Sequence, residues 1–300
     1  MAFAPMFTIE PMYQLRISNL TSGVGIVVMD SLNNARVQLG IGYLFMRGKP
    51  TISFDDGIGD RKLQLEQFGH EALGALNVTV VKQWLAVAVK PKYQYTSLRY
   101  RDDNGIARDA HRKLNAFGLD MGITANLAGW AAIAVTGTNL TGNIGPAYTD
   151  ERAPVLTNVG YTPGTPVNYR SLSGLSDYPL GVGYGVSVFP LHKLGFNLNF
   201  DGFHDFSTYR FEKHDRMLLG GSAEFVAGPV PIRFATTFDN RGRGQQDDRV
   251  FVSGGIGYVK PAAVGGVGVD VGFGFSQQVT GPQKDTVIGF NLGLRINPDL

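Results

Sequence analysis

The sequence predicts an all-β chain that closes into a membrane-spanning antiparallel β-barrel of twelve strands, with fourteen as the alternative count. Three observations predict this fold: apolar and polar residues alternate with a period of two, the connections are alternately short and long, and the composition is rich in glycine and aromatic residues. Alternation with a period of two is typical of strands with one apolar face, because successive side chains of a strand point to opposite faces.

The composition excludes several other classes of protein. The 300 residues include 40 Gly, 19 Phe, 12 Tyr and no Cys, and 43% are hydrophobic, which is too apolar for a disordered chain. The longest apolar runs, such as residues 85–89, are far shorter than the roughly 20 residues of a transmembrane helix. The net charge of +2 comes without a basic stripe, so nucleic acid is not an expected partner.

The alternation identifies the individual strands. Phe196, Leu198 and Phe200 share one parity, and Asn197 and Asn199 lie between them on the other. The same division into an apolar and a polar face recurs along most of the chain after residue 34. The twelve predicted strands are residues 35–46, 70–81, 84–98, 115–127, 130–140, 179–189, 193–206, 215–227, 231–239, 249–260, 265–276 and 286–297.

The connections predict the orientation and the location of the barrel. Outer-membrane barrels have short periplasmic turns, longer extracellular loops and strands of about ten residues. We therefore expect an integral protein of the bacterial outer membrane, surrounded by its lipid. Trp84 and Trp130 each follow a short turn, where the aromatic residues of a periplasmic interfacial belt would lie. The short turns are residues 82–83, 128–129, 190–192, 228–230 and 261–264.

Two segments do not follow the strand pattern. Residues 1–34 alternate poorly and contain Pro5 and Pro11, so we expect them to precede the barrel of residues 35–300, where they either enter its lumen or form a mobile tail. The connection 141–178 is the longest outer loop, which either folds inward as a constriction or stays solvated. If parts of these two segments form strands, the barrel has fourteen.

The lumen-facing parity of the predicted strands carries many glycines and a nearly balanced set of charges. The glycines either leave space inside the barrel or mark strand bends and close packing around a plug. Lys or Arg facing lipid at the midplane would cost about 2–4 kcal/mol, so the shared parity of the charges supports a polar interior. The near balance favours a paired internal network, or a narrow and weakly selective path. The predicted lumen charges are Lys90, Lys92, Asp120, Asp201, Glu224, Arg233, Asp239, Asp270 and Arg295.

We expect no catalytic residues, no cofactor and no metal site, and hence no enzyme. His204 with Asp205 and Ser207 is the one local cluster that a hydrolase could use. Adjacent residues of a strand face opposite sides, however, so His204 and Asp205 are poorly placed to act as a base and its orienting acid. Acidic stretches such as residues 55–60 lack the ligand spacing of a calcium loop.

Three segments carry a resemblance to a known group of barrels: residues 115–140, 179–201 and 218–242. In the first of them a Gly-Leu-Asp strand turns at Trp130 and returns toward an Asn. Together they resemble the FadL and PorV group of outer-membrane barrels. The resemblance implies a porin-like barrel, usually of fourteen strands, with an amino-terminal segment in the lumen, which residues 1–34 would supply.

The same resemblance implies two alternative functions. FadL-like members pass or bind small hydrophobic molecules, so the chain would serve passive transport of a small apolar ligand. PorV-like members are membrane-embedded, non-enzymatic scaffolds with protein partners in a secretion or cell-surface complex, for example one for motility. The sequence alone leaves both functions open.

Overall fold

The computed structural model describes most of the chain as β-structure. It describes residues 7–17, 20–30, 36–49, 51–55, 60–101, 107–127, 129–141, 149–150, 180–191, 195–206, 216–240, 248–281 and 284–297. No helix among these residues is long and apolar enough to cross a bilayer. The strands are β1 (Phe7–Arg16), β2 (Thr21–Asp30), β3 (Val37–Gly48), β4 (Thr51–Asp55), β5 (Asp60–Val81), β6 (Leu85–Arg101), β7 (Ala107–Leu127), β8 (Ala131–Thr138), β9 (Thr149–Asp150), β10 (Gly181–Leu191), β11 (Phe196–Asp205), β12 (Arg216–Ala227), β13 (Val230–Asp239), β14 (Arg249–Lys260), β15 (Gly266–Thr280) and β16 (Thr286–Asn297).

Fourteen of these strands form one closed antiparallel barrel. Each barrel strand pairs with its neighbours along the chain, and β1 pairs with β16 to close the wall. Strand β3 pairs with β2 on one side and with β5 on the other. The short strands β4 and β9 extend the sheet by pairing with the amino-terminal parts of β5 and β7. The all-β antiparallel barrel predicted from the sequence is therefore confirmed.

The predicted count of twelve strands is wrong, and the alternative of fourteen is confirmed. Each of the twelve predicted segments overlaps a barrel strand, and β1 and β2 supply the other two. The expectation that residues 1–34 precede the barrel and enter its lumen is wrong for Phe7–Arg16 and Thr21–Asp30, which pair as wall strands. Residues 1–6, and nearly all of the predicted loop 141–178, lie outside the described residues.

Proline and lumen-facing apolar residues explain why the sequence pattern did not predict β1 and β2. In β1, Ile9 and Met12 pair with β16, whereas the two residues between them do not. Pro11, which lacks an N–H, therefore does not have to donate a hydrogen bond to β16. In β2, Val27 and Met29 occupy lumen-facing positions where the other strands carry polar residues or glycine. Apolar residues on both faces remove the alternation on which strand prediction depends.

The two ends of the barrel differ. Short turns close one end, and the described residues there include four glycines in the left-handed region, among them Gly129 with φ of 78° and Gly228 with φ of 62°. A Cβ at either position would meet nothing within 4 Å, so the requirement for glycine is conformational. At the other end, β5 with 22 residues and β7 with 21 extend well beyond the roughly ten that span a membrane.

Apolar side chains cover the outside of the barrel instead of filling a core. Among the described residues, Ala116 and Ala131 are the only buried hydrophobic residues. Large apolar residues such as Ile41, Phe234 and Phe273 are half or more exposed. This distribution is that of a barrel whose outer surface contacts lipid.

Candidate functional site: the barrel lumen

The strand register places all nine predicted charges on the lumen-facing side, but it does not bring them together in one network. Eight of them belong to separate ion pairs or small groups between neighbouring strands. The most buried group contains Asp120, whose carboxylate lies 2.7 Å from the Nζ atoms of both Lys90 and Lys92. The backbone N–H of Asn139 also donates to Asp120 at 2.8 Å. The Lys92 side chain is 6% exposed, whereas that of Lys90 is 37% exposed.

Two further pairs lie across β12–β13 and β15–β16. Arg233 is the direct cross-strand partner of Glu224 and donates to it through Nε. Asn197 donates to the other oxygen of Glu224 at 3.1 Å, so this carboxylate is held from both sides. Arg295 binds Asp270 through Nη2 at 2.8 Å. These two pairs neutralise four of the inward charges across neighbouring strands.

Asp239 and Asp201 differ in their surroundings. Arg216, which the sequence analysis did not select, binds Asp239 through Nε at 2.8 Å and through Nη2 at 2.7 Å. Its lumen-facing parity at the start of β12 is the signal that could have identified it. Asp201 is exposed to the lumen and has no ionic partner among the described residues. Its carboxylate lies over Gly220, where a Cβ would come within 2.8 Å of it.

A cavity of about 740 Å³ lies along the wall formed by β1–β3 and β11–β16. Its accessible surface is mainly carbon, with Met12 and Met46 on one side. Arg233 contributes the exposed part of its guanidinium, because only Nε is engaged by Glu224 among the described residues. The volume lies within the range of about 300–1,000 Å³ that is usual for small-molecule pockets.

Part of this cavity wall consists of glycines, so no side chains project from the backbone there. Gly274 pairs with Gly255 on one side and with Gly289 on the other, and all three face the lumen. A Cβ at Gly274 or Gly289 would meet only a backbone oxygen at 3.9 Å, so the space in front of both is open. At Gly118, in contrast, a Cβ would lie 3.0 Å from Asn139 and 3.1 Å from Lys92. Inward glycines therefore leave space on one side of the lumen and permit close packing on the other.

Trp84 and Trp130 lie at the short-turn end of the barrel. Both are more than half exposed, and their backbone N–H groups close the turns by donating to Val81 and Leu127. These positions fit an interfacial belt, which remains a prediction.

The histidine cluster does not assemble a catalytic site among the described residues. His204 stacks on Phe206 with ring centroids 4.6 Å apart, on the outer face. Asp205 is 2% exposed and belongs to the opposite face. Ser207 lies outside the described residues. Across the described part of the chain, no three His, Asp or Glu side chains converge as metal ligands would.

Comparison with known proteins gives matches in structure but not in sequence. No family model matches the chain, and no curated protein matches it. The toluene transporter TbuX of Ralstonia pickettii is similar with a TM-score of 0.63 and 11% identity, over 99% of this chain and 90% of that one. The chain has the fold of such channels. The predicted FadL-like outer-membrane barrel is thereby confirmed as a fold.

Two other channels show the same likeness. The CymD monoaromatic hydrocarbon channel matches with a TM-score of 0.61 and 10% identity, over 98% of this chain and 88% of that one. The toluene transporter TodX of Pseudomonas putida matches with a TM-score of 0.55 and 10% identity, over 99% and 90% of the two chains. At such identities the likeness establishes the architecture.

Proposed function

We propose that the chain is an integral, non-enzymatic outer-membrane channel through which small apolar molecules, monoaromatic compounds above all, pass without an energy source. The observation that carries the proposal is the cavity along β1–β3 and β11–β16, with its mainly carbon surface and its bare glycine wall. The three similar channels, which carry toluene or monoaromatic hydrocarbons, support it. No observation in the described residues favours the scaffold alternative.

The cavity has the shape and chemistry for a flat apolar ring. The glycine backbone at Gly255, Gly274 and Gly289 offers a surface without side chains, against which a ring can lie. Met12 and Met46 are flexible and polarizable, so they adapt to different ring substituents. The partly exposed guanidinium of Arg233 can rest on the face of an aromatic ring. Passage also requires that the ligand bind weakly enough to be released.

Filling the open space in front of Gly274 should block the passage. We expect Gly274→Leu to reduce the initial rate of radiolabelled toluene uptake by vesicles containing the folded protein at least about fivefold, because the side chain would enter the cavity. The matched control is Gly254→Leu, whose side chain would face lipid on the adjacent strand. Equal uptake by the two variants, both folded, would refute the proposed path.

A further inference from the structure

Two serines form a hydroxyl pair beside the glycine wall of the cavity. Ser253 on β14 and Ser276 on β15 are direct cross-strand partners, and the hydroxyl of Ser253 donates to that of Ser276 at 2.8 Å. Both residues line the cavity. Two residues nearer the short turn, the same two strands pair Gly255 with Gly274. A pair of hydroxyls and a stretch of bare backbone are therefore neighbours on one part of the wall.

The serine pair keeps hydrogen-bonding capacity for a ligand. A hydroxyl can donate one hydrogen bond and accept two. The bond between the serines uses the donor of one and one acceptor site of the other, so the pair can still donate one bond and accept others. Among the described residues, no further side chain hydrogen-bonds to either serine, and both serines are partly exposed. The pair can therefore bind a group that both donates and accepts.

A second polar pair on the cavity wall is separate from the serine pair. Ser222 on β12 accepts a hydrogen bond from the side-chain amide of Asn199 at 3.2 Å. Ala235 lies between Ser222 and Ser253 in the cross-strand row. Strands are about 4.8 Å apart, so Ser222 lies about 10 Å from Ser253 along the wall. The hydroxyls that adjoin Gly255 and Gly274 are those of the serine pair.

The charges beside the glycine wall favour a neutral ligand over an anion. Arg233 is the cross-strand partner of Gly255, and its Nε atom donates to Glu224. A ligand carboxylate that approached Arg233 would also approach Glu224, and the two negative charges would repel each other. A phenolic hydroxyl is neutral near pH 7, because the pKa of such a group is about 10.

The spacing between the serine pair and the glycines matches the size of a ring that carries one hydroxyl. Residues two apart on a strand are separated by about 6.6 Å, which is the distance from the serine row to the glycine row. A ring that lies against Gly274 can approach the backbone closely, since a Cβ there would meet only a backbone oxygen at 3.9 Å. A hydroxyl on the edge of that ring would reach a serine oxygen at about 2.8 Å, the usual length of an O–H···O hydrogen bond.

We propose that the cavity selects neutral, monohydroxylated aromatic rings of the phenol and cresol class among the small apolar molecules that pass. The ring lies against the glycine wall, and its hydroxyl exchanges hydrogen bonds with Ser253 and Ser276. This inference rests on the proposed function, because it names the substrate class of the same cavity. The two serines are specificity-determining residues, since a site that hydrogen-bonds a ligand hydroxyl discriminates against the analogue that lacks it.

The test compares 4-fluorophenol with 4-fluorotoluene, which carry a hydroxyl and a methyl group at the same position. Fluorine NMR measures the dissociation constant of each ligand for the folded full-length chain in lipid nanodiscs, with empty nanodiscs as the correction for partition into lipid. We expect the double variant Ser253→Ala/Ser276→Ala to bind 4-fluorophenol about fivefold more weakly, because the hydrogen bonds are lost. Its affinity for 4-fluorotoluene should change less than about twofold.

Two further variants separate the possible outcomes. Ser187→Ala/Thr124→Val removes two lumen-facing hydroxyls that do not line the cavity, so both affinities should stay within about twofold. Gly274→Leu fills the shared site and should weaken both ligands. Equal weakening of the two ligands by the serine double variant, or an unchanged affinity for 4-fluorophenol, would overturn the selectivity and leave the channel proposal standing. Failure of both ligands to bind the unmodified folded chain would overturn both proposals.

Discussion

Asp120 stabilises the closely packed side of the lumen because it compensates two lysines at once. Lys92 is nearly inaccessible, so loss of its partner would leave a buried, unpaired charge. We expect Asp120→Asn to lower the free energy of unfolding by about 3–5 kcal/mol. Lys90→Gln should lower it by less than about 1 kcal/mol, since Lys90 is partly exposed and Asp120 keeps Lys92. Urea-induced unfolding in lipid vesicles measures both changes, and similar costs for the two variants would contradict this account.

The sequence could predict on which face of the barrel wall each charged side chain lies, but not the residue with which it pairs. Side chains alternate along a strand, so parity alone placed Lys90 and Arg233 inside the barrel. Pairing depends on the register between strands, which turns of different lengths determine. Arg233 lies opposite Glu224 across a short turn, whereas Asp120 meets Lys90 across a longer connection. Arg216 was missed because its strand begins there, where the alternation has no preceding residues to support it.

Strands β1 and β2 decide whether the barrel closes. Because β1 pairs with β16 and β2 pairs with β3, removal of residues 1–34 would leave two open edges. We expect this truncated chain not to form a heat-modifiable folded barrel and to give no stable conductance in planar bilayers. A plug in the lumen would behave differently, since its removal would leave the barrel intact and raise the conductance. Larger, stable channels after truncation would therefore contradict the wall assignment.

The upper ends of β5 and β7 show a second limit of the sequence pattern. The alternation predicted strands from residues 70 and 115, whereas β5 begins at Asp60 and β7 at Ala107. Residues 60–66 and 107–113 carry charged residues at both odd and even positions. This part of the sheet extends beyond the membrane, so neither of its faces has to contact lipid. Hydrophobic periodicity reports contact with lipid, not the full length of a strand.

The sequence predicts the class of fold of the whole molecule, but it does not predict where in the barrel the cavity lies. Alternation and unequal connections are properties of single strands and of their order, which one sequence displays. An open side of the lumen arises only when Gly255, Gly274 and Gly289 become neighbours across three strands. The same residue type at Gly118 lies under packed side chains, so composition alone could not separate the two environments.

The most direct test of passage through the cavity uses the absence of native cysteine. Ser253 lines the cavity, and its neighbour Val252 lies on the lipid-facing side. Toluene uptake by vesicles would be measured for Ser253→Cys and Val252→Cys before and after attachment of a bulky thiol reagent. If toluene passes through the cavity, labelling should reduce uptake only in Ser253→Cys. Unchanged uptake after complete labelling at that position, or an equal loss in Val252→Cys, would contradict it.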